Sequence, residues 1–490
     1  MQESNKSIVR IFLVAGTAWA GFAMFLGLLN QLQLAFQWPG SDSALSYGII
    51  RPLFTHTLFF GSILSFGTAI GYYILSGISG VELKATILAK AGFYIQNVGV
   101  GISAIAILFG FNKGREYGEG AWIGDGLVIL SIIIFLSVFL KAVKGASAPG
   151  ILASLVTLTA GAGLITIIIG NAAAPFMPLS SVPLTSGMQD AAVEGVYRSG
   201  LLAFVLVLPA FIALYKIVPE YYRVSLHSDS SLRFQAIALV CLAPIAGAAY
   251  LAFSPAPAPL QTIGIIAAVA IGSAVLAGTV NVFNTVHNNT VPLGSNNITK
   301  FLTGGAYLAG IYAVLRAIGS FRFMQERFAF TWLNFADISI DAATYGLIIF
   351  FGAGYVIVQK VKGQALEQPL VRTHMFLALI GAIVILVGNI FSGVAESSAL
   401  RSIPESGQPA TWAQAMLAGS LGQASGSLAV EYLVSPRGIV FIGYLLSAVG
   451  SWIGSVLIIH TFYFHGENYS EVNLHLPVTE KPASAAHGAH

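Results

Sequence analysis

The chain has 490 residues, of which 56% are hydrophobic and only 9% charged, and its mean hydropathy is +0.80. This composition excludes an ordinary water-soluble domain and predicts a polytopic membrane protein. The formal net charge of +3 is small. It is spread among the loops without the basic stripe that a nucleic-acid partner requires, so nucleic acid is excluded. The single cysteine, Cys241, excludes a disulfide within the chain.

Apolar runs long enough to cross roughly 30 Å of hydrocarbon recur along the whole sequence. Each run must be helical, because lipid offers no partner to backbone polar groups. The sequence therefore predicts an all-α integral membrane protein. The predicted transmembrane helices lie near residues 9–33, 50–77, 84–110, 121–142, 148–173, 192–217, 232–253, 259–284, 299–324, 339–359, 370–397 and 436–465. Residues 1–465 form one transmembrane domain in this prediction, and residues 466–490 form a disordered cytoplasmic tail.

The positions of lysine and arginine predict the orientation of the chain. With the N-terminus in the cytoplasm, about 14 of the 23 lysines and arginines fall on the inner side. We therefore expect both termini in the cytoplasm and the protein in the cytoplasmic (inner) membrane. Two polar loops without lysine, 174–191 and 398–435, would then lie outside. They are the predicted docking surface for extracytoplasmic partners.

The glycine-rich stretch GFNKGREYGEGAWIGDG, residues 110–126, joins two predicted helices. Because it does not follow a strand, we do not expect it to bind phosphate. The sequence also lacks a P-loop, an H-E-x-x-H zinc motif, a C-x-x-C-H haem attachment motif and a G-x-S-x-G motif. No internal repeat marks the two halves of a transporter, which counts mildly against that class.

Three stretches carry a resemblance to a known family. They are SYGIIRPLFTHTLFFG, VYRSGLLAFVLVLPAFIALYKIVPE and LVRTHMFLALIGAIVILVGNIFSGV. In this order they resemble the second, sixth and eleventh helices of subunit I of the haem–copper oxidase superfamily, closest to the branch of cbb3-type oxidases and nitric oxide reductases. The corresponding family patterns are R-P-L-H-T, Y-G-H-N-A-V with a later V-P, and A-H-F-W-L with a later V-S-G. The resemblance implies twelve helices, a low-spin haem, a high-spin haem and a copper ion held by histidines.

The family's histidine ligands are missing at the matching positions of this chain. Copper requires about three imidazole ligands, and each haem iron requires at least one axial donor. We therefore expect a degenerate member that binds no cofactor. Because an empty space of that size is not tolerated, side chains should fill it, with lipid or quinone as the alternative. The residues at the lost ligand positions are Phe54, Ser199, Ala249, Tyr250, Ser339 and Asp341.

Three histidines in predicted helices are fallback haem ligands, with haem b as the alternative cofactor: His56, His374 and His460. His56 lies two residues beyond the lost ligand position, which turns it about 200° around the helix axis. A hydrogen bond to a neighbouring helix is the simpler interpretation. His374 matches a family histidine outside the ligand set, which favours a structural role. His460 lies near a helix end, where an interfacial role is expected.

Arg198 and Asp341 are charged residues inside predicted helices, next to and at lost ligand positions. A lone charge at membrane depth costs at least roughly 2.5–3.5 kcal/mol, so such residues usually pair in the bundle interior. We expect them to form a buried polar network with Glu194, Arg316 or His56 where the metal centre would lie. The alternative is that each side chain extends separately to water.

Three functional hypotheses follow. The first is a non-catalytic scaffold or docking subunit of a respiratory electron-transfer complex, beside a catalytic oxidase subunit and cytochrome c-type subunits. The second is a divergent haem-binding terminal oxidase or nitric oxide reductase subunit. The third is an ion or proton transporter that uses Arg198 and Asp341.

Overall fold

The computed structural model describes most of the chain. Its residues are 3–36, 45–78, 85–146, 150–176, 183–251, 257–288, 297–328, 331, 333, 337–363, 366–401 and 435–464. The predicted tail at 466–490 and most of the predicted outer loop at 398–435 lie outside the described residues. The other predicted outer loop, 174–191, is described only in part.

Within these ranges, twelve helices are long and apolar enough to cross a membrane, which confirms the predicted all-α fold. They are α1 (Glu3–Phe36), α2 (Tyr47–Ser76), α3 (Thr86–Leu108), α4 (Trp122–Lys144), α5 (Ile151–Phe176), α6 (Pro183–Tyr222), α7 (Asp229–Tyr250), α8 (Ala258–His287), α9 (Asn297–Gly319), α10 (Ile338–Lys362), α11 (Gln368–Arg401) and α12 (Pro436–Tyr463).

Helix α9 ends at Gly319, whereas the sequence predicts that it continues to residue 324. The backbone N–H of Ser320 donates to the carbonyl of Arg316 at 3.0 Å, and the Ser320 hydroxyl donates to the carbonyl of Ala317 at 2.7 Å. These bonds satisfy carbonyls that a longer helix would have used. A separate short helix follows, Arg322–Phe328.

Helices α2, α6 and α10 form the centre of the bundle. Their most apolar stretches are 89%, 89% and 100% buried, more than in the other spans. Each of them widens into a π-helical segment, at Thr57–Ile63, Leu201–Val207 and Ala342–Gly346. The three segments contact one another in the middle of the protein. Because π segments are frequent at functional sites, the candidate site should lie beside them.

Polar contacts join the same three helices near their C-terminal ends. Glu220 of α6 accepts a hydrogen bond from Lys360 of α10, and its Oε1 also accepts one from the hydroxyl of Tyr73 on α2, at 3.0 Å. Lys216 lies 3.4 Å from the other carboxylate oxygen. Another group of polar contacts lies toward the N-terminal ends of these helices, and it forms the candidate site.

Candidate functional site

The connection between α3 and α4, residues 109–121, folds back into the bundle. Tyr117 adopts a left-handed backbone conformation, with φ of 63°, and its side chain is buried. Its hydroxyl donates to Oδ1 of Asp337 at 2.7 Å, and its carbonyl accepts from the hydroxyl of Tyr197 at 2.8 Å. Its ring meets that of Phe59 edge to face, with centroids 5.6 Å apart. The segment is therefore anchored among α2, α6 and α10.

Glu116, beside Tyr117, joins two arginines. One carboxylate oxygen accepts from Arg51 of α2 and the other from Arg198 of α6. Arg198 is also bonded to Glu194, one turn earlier on α6. Arg51 lies 3.4 Å from Oδ2 of Asp337, the residue that precedes α10.

Arg316 extends this arrangement to α9. It forms an ion pair with Asp341 of α10, and its Nη2 donates to the backbone carbonyl of Asp337 at 3.2 Å. The contacts form a continuous series, which we name the ion-pair chain: Glu194, Arg198, Glu116, Arg51, Asp337, Arg316 and Asp341. It holds three guanidinium groups and four carboxyl groups. Such mutual pairing is how charges are accommodated at membrane depth.

A cavity borders the ion-pair chain between α6, α7, α8, α9 and α10. Arg198, Arg316 and Asp341 supply its charged wall, and the hydroxyl-bearing Tyr250 and Tyr345 also face it. It leaves about 50 Å³ for the centres of water-sized molecules. At roughly 10–15 Å³ for each water, it holds about three to five waters.

The residues that the sequence analysis assigned to lost ligand positions pack against other side chains, form hydrogen bonds or line the cavity. Phe54 packs with its ring 6.3 Å from that of Tyr444. The Ser199 hydroxyl donates to the carbonyl of Gly195 at 2.8 Å, and the Ser339 hydroxyl donates to Oδ1 of Asp337 at 2.6 Å. The Ala249 carbonyl accepts from Gln325 at 2.7 Å. The remaining two, Tyr250 and Asp341, line the cavity.

The structure does not place His56 in the ion-pair chain, which corrects that part of the predicted network. His56 follows Arg51 by five residues, so it projects about 140° away around α2. Its ring lies 5.1 Å from that of Phe60 and next to Asp125 and Lys113. His56 is fully buried, and neither ring nitrogen has a hydrogen-bond partner among the described residues. The expected hydrogen bond to a neighbouring helix is therefore also absent there.

The other two histidines lie away from the cavity. Nδ1 of His374 is 2.5 Å from the hydroxyl of Tyr355, and its ring packs 4.7 and 4.8 Å from those of Phe301 and Phe351. This arrangement gives His374 a packing role between α9, α10 and α11. His460 is exposed near the end of α12 and stacks on Phe464 at 5.6 Å.

Burial and neighbouring charges shift the pKa values of groups beside the first turns of these helices. Burial raises the pKa of Glu119 to about 8. Burial, followed by the carboxylates of Asp337 and Glu116, raises the pKa of the Tyr117 hydroxyl well above its usual value. Burial also acts to raise the pKa of Asp337, but the Arg51 guanidinium and hydrogen bonds from Ser339 and Tyr117 hold it below its ordinary value.

Sequence reasoning missed four members of this site: Arg51, Glu116, Tyr117 and Asp337. All four lie outside the predicted helices or in the first turn of one, where polar and charged residues are ordinary. One signal was available, because the stretch 110–126 places two glutamates and a tyrosine between glycines in a short connection. We tested that stretch only for phosphate binding, which we did not expect, and the spacing does not reveal that the stretch enters the bundle.

The comparison with protein families decides the classification. The family model described as cytochrome c and quinol oxidase polypeptide I matches residues 7–425, most of the chain. The protein belongs to this family. The match confirms the resemblance to haem–copper oxidase subunit I, and it assigns the chain to a family of multi-pass membrane proteins of respiratory electron transport.

Individual oxidase subunits are similar to most of the chain. The cbb3-type cytochrome c oxidase subunit CcoN1 of Stutzerimonas stutzeri is 24% identical over 414 residues, covering 82% of this chain and 86% of that protein. Cytochrome c oxidase subunit 1 of Rhodobacter capsulatus is 22% identical over 420 residues, covering 83% and 78%. A subunit 1 homolog of Agrobacterium tumefaciens is 22% identical over 390 residues, covering 78% and 72%.

The residues of this chain do not fit the haem and copper centres that the family implies. Phenylalanine and alanine offer no metal donor, and the serines at positions 199 and 339 donate their hydroxyl protons to protein oxygens. Asp341 is engaged by Arg316. Among the described residues, no group of three or more histidine, cysteine or acidic side chains is arranged to hold a metal ion.

Proposed function

We propose that this member of the oxidase subunit I family is a non-catalytic, cofactor-free subunit. It acts as a scaffold or docking partner in a respiratory electron-transfer complex of the cytoplasmic membrane, with both termini in the cytoplasm. Its partners are other membrane subunits, including a catalytic oxidase subunit and cytochrome c-type subunits.

One observation carries this proposal. Three of the expected lost ligand positions, Ser199, Tyr250 and Asp341, line a small cavity that is bordered by paired arginines and carboxylates rather than by imidazoles. The ion-pair chain joins α2 to α6, α9 and α10, and the last three of these helices line the cavity. These helices are therefore held together by contacts that need no metal.

An absorption spectrum of the purified protein tests the proposal. The chain is extracted with its native partners, and its own subunit is then isolated in mild detergent. We expect neither a Soret band nor stoichiometric iron or copper in the isolated subunit, while the parent complex retains them. A stoichiometric Soret band with an α-band that responds to dithionite would overturn the proposal. A subunit that co-purifies with no respiratory protein would overturn its scaffold role.

A divergent haem-binding oxidase subunit is the second candidate, and one observation favours it. Both ring nitrogens of His56 are free of hydrogen bonds to the described residues, and an axial haem ligand needs a free nitrogen. All the relatives named above are oxidase subunits, which favours this candidate over an ion or proton transporter. A haem spectrum that disappears in His56→Ala but persists in His374→Ala and His460→Ala would establish it.

A further inference from the structure

Glu119 differs from every other carboxyl group around the 109–121 segment. The others are Glu116, Asp125, Asp190, Glu194, Asp337 and Asp341, and each forms an ion pair with a lysine or arginine. No ion pair is found for Glu119 among the described residues. Its Oε2 is buried without a hydrogen-bond partner, and the residue is only 4% exposed.

Burial outweighs the groups that stabilise a negative charge on Glu119. Its carboxylate accepts hydrogen bonds from the backbone of Glu119 and Tyr117, and Arg51 of α2 is a nearby cation that is already bonded to Glu116 and Asp337. Glu116 itself is a neighbouring negative charge. Tyr197 of α6 lies beside Glu119 and is uncharged.

The residue after Glu119, Gly120, packs against two further groups. These are the Asp125 carboxylate of α4 and the ring of His56 on α2. A buried carboxylate without an ion-pair partner is disfavoured, so the protonated form of Glu119 is the favoured one in this position.

The segment that holds Glu119 connects α3 and α4 without regular secondary structure. It contains three left-handed residues, Gly110, Gly114 and Tyr117. Besides the buried Tyr117 ring, polar contacts hold it to the bundle: Lys113 donates to Asp125 at 2.5 Å, and the N–H of Ile338 donates to the Tyr117 hydroxyl at 3.1 Å. Irregular connections generally open locally more readily than core helices. When this segment opens, Glu116 separates from Arg51 and Arg198, and this part of the ion-pair chain becomes hydrated.

We propose that Glu119 is a proton-binding latch, which holds one proton while residues 109–121 lie closed over the ion-pair chain and releases it to water when they open. No other chemistry is involved: the O–H bond of the carboxylic acid breaks, and a water molecule receives the proton. The latch makes access to the ion-pair chain dependent on the proton concentration at that face of the membrane. It does not depend on whether the chain binds haem.

The sign of the pH dependence follows from linkage. When the segment is closed, Glu119 has a pKa of about 8. When the segment is open and Glu119 is hydrated, its pKa is the ordinary value near 4.5. Between these values the closed form binds one proton more than the open form. Raising the pH therefore favours opening, by up to tenfold in the opening equilibrium for each pH unit, and the effect ends above about pH 8.

Hydrogen–deuterium exchange of the full chain in lipid nanodiscs tests the latch. Exchange of peptides covering 109–121 is measured from pH 5.5 to 8.5 and corrected for the intrinsic pH dependence of amide exchange. We expect the corrected opening constant to rise by up to tenfold per pH unit in the wild type. In Glu119→Gln it should be independent of pH and low, because glutamine is neutral like the protonated acid. A flat wild-type profile, or an unchanged slope in Glu119→Gln, would overturn the proposal.

Asp190→Asn is the matched control. Asp190 is exposed and holds Arg115 of the same segment. Its loss should raise the opening constant at every pH without changing the slope, and removal of the slope would contradict the latch. If Glu119→Gln does not fold, infrared difference spectra of the wild type between pH 6 and pH 9 decide the question. They should show the loss of one protonated carboxylic acid band in parallel with the exchange, and its absence would overturn the proposal.

Discussion

The guanidinium of Arg316 on α9 is paired with the carboxylate of Asp341 on α10, in the interior of the bundle. The Asp341 side chain is only 2% exposed. Among the described residues, Arg316 supplies the ion pair found for Asp341, and the neighbouring Arg198 is engaged by Glu116 and Glu194. Removing one partner alone therefore leaves an uncompensated buried charge.

We predict that Asp341→Asn or Arg316→Met lowers the free energy of unfolding by about 3–5 kcal/mol. The double variant Arg316→Met with Asp341→Leu should recover most of this loss, because it removes both charges and keeps the volume. The measurement is unfolding of the detergent-solubilised chain by increasing sodium dodecyl sulfate, followed by tryptophan fluorescence.

The ion pair between Lys360 and Glu220, at the other end of α10, is the control. Its side chains are 28% and 31% exposed, so water compensates a lost partner. Lys360→Met should cost about 0–1 kcal/mol. Equal losses at both pairs, or a double variant no more stable than the single ones, would show that Arg316 and Asp341 are not a buried pair.

Ser339 should set the resistance of the protein to acid. Its hydroxyl donates to Asp337 at 2.6 Å and helps to hold the pKa of that carboxyl below its ordinary value of 3.8. The stability that a lowered pKa provides is present above this ordinary value and is lost as the pH falls through the lowered one. Ser339→Ala brings the Asp337 pKa closer to the ordinary value, so acid unfolding should begin at a higher pH.

Ser199→Ala is the control for this prediction. Ser199 is a serine on another helix of the site, and its hydroxyl bonds to carbonyls of its own helix. Its removal should leave the acid midpoint unchanged. The midpoint is followed by tryptophan fluorescence between pH 6 and pH 2, and equal shifts in the two variants would contradict the role given to Ser339.

The sequence alone predicts the helical fold, but it does not predict how the residues of the candidate site are connected. Hydropathy alone predicts twelve spans, because the requirement for hydrogen-bonded backbone in lipid leaves only helices. The charges of Arg198 and Asp341 stand out against apolar surroundings, so they were recognised. Their connection through Arg51, Glu116 and Asp337 was not, because these residues are far apart in the chain and meet only in the folded bundle. The π segments were also missed, since one extra residue in a helical turn leaves hydropathy unchanged.

Gly120 marks the closest approach of the 109–121 segment to the bundle. A Cβ atom at this position would collide with the Asp125 carboxylate and lie 2.8 Å from Cε1 of His56. We predict that Gly120→Ala costs about 1–3 kcal/mol, as overpacking does in a close-packed interior. Gly126→Ala on α4 should be neutral or stabilising by up to about 1 kcal/mol, because no atom lies within 4 Å of its Cβ and alanine favours helix. Equal effects in the same unfolding assay would contradict the packing of this segment.

The last two helices, α11 and α12, are joined by a second buried ion pair that the sequence did not reveal. Nε and Nη2 of Arg437 both donate to Oε1 of Glu396, at 3.1 and 2.5 Å, and the two side chains are 5% and 1% exposed. A lysine retains the charge but lacks the two fixed donors.

We predict that Arg437→Lys destabilises the chain by about 1.5–3 kcal/mol, the range for hydrogen bonds to charged groups. Glu396→Gln should cost more, about 3–5 kcal/mol, because it leaves a buried guanidinium without its carboxylate. Unfolding in sodium dodecyl sulfate separates these two outcomes. If Arg437→Lys is as stable as the wild type, charge alone holds α11 against α12, and the paired donors of the guanidinium contribute nothing.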